Sequence, residues 1–174
     1  MAENIENKTA EKEEKLTWQH VPPMSLDDMR RTAAGIAVGN LVTTVLYLKS
    51  KYGEAAVEDY LNQNAKEQAA ILRENQVESP VALLTLTAKQ ERELFGSKIE
   101  LTGNDDKAVL TFAEDKTLAV FLEELEAGRY PDLHREWYLE LKNDGVHRRV
   151  AGELGFKFGW EDLGEKGYRI TVYR

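Results

Sequence analysis

The run "SLDDMRRTAAGIAVGNLVTTVLYLKSKYG", residues 25–53, constrains the fold more than any other part of the chain. Ser25 is a good helix N-cap, and Asp28 stands where a capping box places its acidic partner. Asp27 and Asp28 also complement the positive end of a helix dipole. No proline or turn cluster interrupts the run before Gly53, a residue suited to the position just past a helix end. The spacing therefore predicts one helix reaching about Tyr52. The next segment, "GEAAVEDYLNQNAKEQAAILRENQ", places Val57, Tyr60, Leu61, Asn64, Ala65, Gln68 and Leu72 on one stripe at helical spacing. Two long helices joined at Gly53 fold back on one another as an antiparallel hairpin. The second stripe is only half apolar, which predicts packing at an edge or against a polar partner.

The first helix is unusual in its small residues. Ala33 and Ala37, and Gly35 and Gly39, recur at four-residue spacing and leave shallow grooves for close packing or a ligand. Each glycine costs about 1 kcal/mol of helix propensity, so a close contact is expected to offset it. These four residues are the expected helix-packing interface. The apolar run 33–48 contains Asn40 and two threonines and falls short of the roughly 20 apolar residues a bilayer span needs. It reads as a buried helix of a soluble protein, with no membrane span.

Residues 1–20 are rich in Glu, Lys and Asn, the composition of a disordered acidic and polar tail, with Trp18 and Val21 able to pin the adjoining strip onto the body. Residues 21–174 are expected to form a single globular domain. Ser79–Pro80 can start a helix at once. Alternatively "VALLTLT" is a buried strand followed by a short helix ending at Gly96; the reading leans to helix. "KIELTGNDDKAVLTFAE" is a β-hairpin, in which Ile99 and Leu101 face Val109 or Leu110 and Phe112 across a "GNDD" turn. "TLAVFLEELEAG" reads as a helix. Next comes a helix bearing His134, Trp137, Tyr138 and Leu141 on one stripe, broken at Asn143–Gly145. A short helix "VHRRVAGELG" and a last strand "YRITVYR" complete the chain. Helices precede the strands rather than alternate with them, so the fold class is α+β: a long N-terminal helical hairpin packed with a small antiparallel sheet and short C-terminal helices.

Composition narrows the chemistry. The formal charge of −8 opposes phosphate backbones, and residues 129–174 are close to neutral, so no positive groove is indicated. The chain has no cysteine. It therefore supplies no disulfide, zinc–thiolate or iron–sulfur ligand and no thiol nucleophile; a cytoplasmic location is expected. No paired-histidine metal spacing exists, and no metal site is expected. None of the four serines lies in a GxSxG elbow. Adjacent carboxylates such as Asp105/Asp106 and Glu123/Glu124 point apart. "GELGFKFG" lacks the spacing of a phosphate loop. The C-terminal third can be written as a winged helix-turn-helix, but "FKFGWEDLG" would present Glu161 and Asp162 to DNA.

The small-residue helix with its successor "YGEAAVEDYL", the "LFGSKIEL…AVLTF" hairpin and the terminal "GEKGYRITVYR" resemble the L-2-amino-thiazoline-4-carboxylic acid hydrolase-like proteins, and more distantly the 4-vinyl-reductase-like sensor domains. The resemblance spans about residues 30–174 and implies the fold and a ligand-holding cavity. Members carry cysteines after the hairpin and in the last strand, whereas this chain has Ala113 and no cysteine, so no catalytic residue is carried over.

Together these features predict a non-catalytic small-molecule-binding or accessory protein, docking on a protein partner or on a second copy of itself. His134, Trp137, Tyr138, Arg149 and Trp160 are the candidate ligand-binding residues. The cofactor is unknown. Two alternatives stand beside it: a hydrolase of a small carboxylated or amidic substrate with His134 or His147 as general base, and a winged-helix DNA-binding regulator.

Overall fold

The computed structural model describes residues 22–165 and 167–174; the expected N-terminal tail and the Trp18/Val21 anchor lie outside the described residues. Helix α1 runs Leu26–Tyr52, with the Ser25 hydroxyl accepting from the Asp28 amide, and it ends at Gly53 with φ 82°. Helix α2, Glu54–Glu74, returns along it. Val45, Val57 and Leu61 seal the closed end of this hairpin together with Leu141. On α2, Val57, Leu61, Ala65 and Ala69 are buried, and between them Gln68 donates to Asn64, so the polar half of the stripe bonds to itself.

Helix α3 spans Pro80–Gln90, starting at once from the Ser79 N-cap with proline in its first turn. It continues into a π-helical turn, Glu91–Phe95, which Gly96 ends in the left-handed conformation. Strands β1, Lys98–Gly103, and β2, Lys107–Glu114, form the expected hairpin; the Asn104 side chain accepts from the Asp106 and Lys107 amides in its turn. The register pairs Leu101 with Leu110 and Ile99 with Phe112, so Leu110 rather than Val109 faces the core. Helix α4, Lys116–Glu126, starts directly after Asp115.

The region from Arg135 departs from expectation. Helices α5, Arg135–Glu140, and α6, Arg148–Glu153, are joined by a π-helical segment, Leu141–His147, instead of a loop. Asn143 is fully buried and donates to the Leu139 carbonyl, which keeps the backbone helical where the letters suggest a turn. Gly145 is there because the helix passes close to α2: a Cβ would stand 3.1 Å from Leu141 Cδ1 and 3.4 Å from Leu61 Cδ1. A fourth strand, unforeseen from the sequence, is β3, Lys157–Asp162, which pairs with β4, Tyr168–Tyr173. The antiparallel order is β1-β2-β4-β3, so β3 is an edge strand, where Gly159 and two acidic residues are tolerated. One sheet face, carrying Leu110, Phe112, Phe158, Tyr168, Ile170 and Val172, is covered by the helices, giving a two-layer α+β architecture.

Candidate functional site

Between the helical layer and that sheet face lies a cavity of about 380 Å³, within the range of small-molecule sites. Its walls are Ala37 and Leu41 of α1, Leu72 of α2, Leu83 and Leu84 of α3, Val150 of α6, and Phe158, Ile170 and Val172 of the sheet. Ile71, Leu86 and Gln90 also line it and are exposed, which places the opening between α2 and α3. The inner end is polar: Glu91, Thr117, Tyr138, Lys142 and His147 line it.

That polar end is a closed network. The Lys142 ammonium is buried and donates to Glu91 Oε1 at 2.9 Å, Asp115 Oδ2 at 2.6 Å and Thr117 Oγ1 at 2.8 Å. It also sits over the rings of Phe112 and Tyr168, 5.4 and 5.8 Å from their centroids. Asp115 has no solvent exposure; its Oδ1 caps α4 by accepting from the Thr117 and Leu118 amides, and its Oδ2 accepts from the Tyr168 hydroxyl. Glu91 Oε2 accepts from Ser97. Both π-helical segments contribute, since Glu91 opens one and Lys142 lies in the other; such wide turns recur at functional sites.

The pairing decides the charges. Burial alone pushes the Lys142 pKa down, but Asp115 and Glu91 overcome this and hold it well above the ordinary lysine value. Burial pushes Asp115 up, and Lys142, Thr117 and Tyr168 together bring it below the ordinary aspartate value. Glu91 goes the other way: burial and the Asp115 charge, which competes for the same lysine, outweigh Lys142 and raise it. His147 is only partly buried as a residue, yet its Nε2 is sealed from solvent and has no hydrogen-bond partner. Burial, reinforced by Lys142, holds its pKa down at about 4, so the ring is neutral at physiological pH.

Of the five residues singled out from the sequence, only Tyr138 lines the cavity. His134 is exposed and occupies the N-cap of α5, off the stripe it was placed on. It stands thirteen positions before His147 on one helical run, roughly 20 Å at 1.5 Å per residue, so the two imidazoles do not converge. Trp137 packs between the two core clusters. Arg149 turns to α2, donating to Glu58 Oε2 at 2.7 Å and to Asn62. Trp160 Nε1 donates to Asp144 Oδ2 at 3.1 Å. The small residues of α1 divide between two faces: Ala33 and Ala37 pack inward, while a Cβ at Gly35 or Gly39 would meet no atom within 4 Å. Among the described residues no cluster of three or more His, Asp or Glu side chains could hold a metal ion.

Glu91, Asp115 and Lys142 were not foreseen. The available signal was Lys142 itself, one helical turn beyond Tyr138 on the aromatic, core-facing side. No protein-family model matches the chain, and no curated protein is significantly similar to it.

Proposed function

We propose that the protein binds a small, largely apolar molecule in the cavity between its helices and sheet, and that it does so without catalysing a reaction on it. The observation that carries this reading is an apolar cavity of about 380 Å³ ending in a buried polar cluster where His147 Nε2 lacks a partner. Buried polar atoms in folded proteins are normally satisfied, so an unpartnered one beside a cavity marks a place for a ligand atom. Catalysis is not favoured because Lys142 and Asp115 are committed to each other and to structural partners, leaving no free nucleophile among them. The hydrolase alternative keeps only His147 as a base. The winged-helix alternative loses support because the segment read as its recognition element is edge strand β3. The test is thermal: octanol at saturating concentration should raise the melting temperature of the wild type and raise that of Ala37→Leu, which narrows the cavity, markedly less. Equal responses from both proteins would dismiss the cavity as the site.

The docking half of the reading has its own support. The run 33–48, expected to be buried and too short for a membrane span, belongs to the longer α1, which by length and composition alone is apolar enough to cross a membrane and of whose most apolar window only 22% is buried. The uncovered face carries Met29, Thr32, Ile36, Asn40, Thr43 and Tyr47. A second copy laid antiparallel and crossing between Gly39 and Asn40 would set Ile36 against Thr43, Thr32 against Tyr47 and Asp28 beside Lys51. The stripe is therefore self-complementary, as a twofold interface requires.

A further inference from the structure

We infer that the inner end of the cavity selects a ligand whose head group donates hydrogen bonds and carries no negative charge, with an alkyl amine the best-matched class. The inference rests on the cavity being a binding site and is carried by the donor and acceptor inventory of its polar end. An ammonium has three N–H donors, and Lys142 spends them on Glu91, Asp115 and Thr117. A carboxylate or phosphate head group would find Lys142, the one cation among the described lining residues, already saturated. It would also meet the Glu91 and Asp115 carboxyl groups, two acceptors held around a single ammonium. The acceptors, by contrast, have capacity left. Glu91 lines the cavity and each of its oxygens accepts only one side-chain bond, from Lys142 and from Ser97. His147 Nε2, in the tautomer that carries its proton on Nδ1, accepts one more. A protonated amine offers donors to both and supplies positive charge beside the Glu91 carboxyl group. A hydroxyl offers one donor and no charge.

The raised pKa of Glu91 agrees with this arrangement, because an incoming cation would supply the counter-charge that Asp115 takes from it. The walls restrict the body of the ligand behind its head group. Leu83, Leu84, Leu72 and Val150 exclude polar substituents along that body, and Gln90 at the opening tolerates a chain that reaches solvent.

The test compares octylamine, octanol and octanoate by calorimetric titration of the full chain. High salt is used throughout, because the acidic surface attracts amines nonspecifically and that attraction is screened. Octylamine is expected to bind at least tenfold more tightly than octanol, and octanoate more weakly than either. Glu91→Gln, which can keep the Lys142 bond while replacing the carboxyl group, is expected to bring octylamine binding to within about threefold of octanol binding to the same variant. A cooperative melting transition is the check that this variant folds. Octanoate binding as tightly as octylamine, or a Glu91→Gln preference equal to that of the wild type, would overturn the head-group assignment while leaving the cavity as a binding site. Failure of all three probes to bind would overturn both.

Discussion

At the scale of single residues, Lys142 is the most consequential side chain. Removing it leaves Glu91 and Asp115 buried without a counter-charge, so Lys142→Met should cost about 3–5 kcal/mol in urea unfolding. Replacing all three charges together, as Lys142→Met/Glu91→Gln/Asp115→Asn, should cost far less, because Asn retains the α4 cap and no lone charge remains. A triple variant as unstable as the single one would show that the cation–ring contacts, not the ion pairs, carry the energy. His147 gives a pH prediction. Its folded pKa is about 4, against about 6.5 when unfolded. Between those values the unfolded chain binds more protons, so stability from this group falls as pH drops from 6.5 to 4. Glu91, raised in the fold, acts in the opposite sense below its own pKa. The difference between wild type and His147→Phe isolates the imidazole. The wild type should lose stability relative to the variant, by about 2 kcal/mol, as pH falls across that window.

At the scale of elements, legibility depended on how local the signal is. Helices α1 and α2, the Ser79–Pro80 start of α3 and the β1–β2 hairpin are specified by caps, turn residues and periodicity within one segment, and all are present. What escaped depends on neighbours. "KNDG" looks like a turn, but Asn143 bonds to its own helix and Gly145 yields space to Leu61, so the helix continues as a π segment. Strand β3 was hidden because Gly159, Glu161 and Asp162 disrupt its alternation, which an edge strand permits. The candidate site was less legible still: Glu91, Asp115 and Lys142 come from three separated elements that only the tertiary fold brings together. Two substitutions test the element-level account. Gly145→Ala should destabilise the fold by about 1 kcal/mol or more through its contact with Leu141 and Leu61. Gly39→Leu has open space and should raise helix stability by up to about 1 kcal/mol while weakening self-association through α1. Sedimentation of the wild type as a monomer at tens of micromolar would remove the α1 interface.

At the scale of the whole molecule, the layers enclose a cavity because the helical layer does not close completely over the sheet face at Phe158, Ile170 and Val172. Unfilled apolar space of this size forfeits dispersion contacts, and filling it stabilises. Ala37→Leu should therefore raise stability by about 0.5–2 kcal/mol while weakening ligand uptake, a trade of binding for stability. The most direct measurement of the central claim is a native mass spectrum of the full chain purified from its own source, run beside Ala37→Leu prepared in the same way. The account predicts a noncovalent small-molecule adduct, one per chain, on the wild type and a clearly lower occupancy on the variant. The bare chain mass in both proteins, persisting after alkyl amines and alcohols are added, would contradict it.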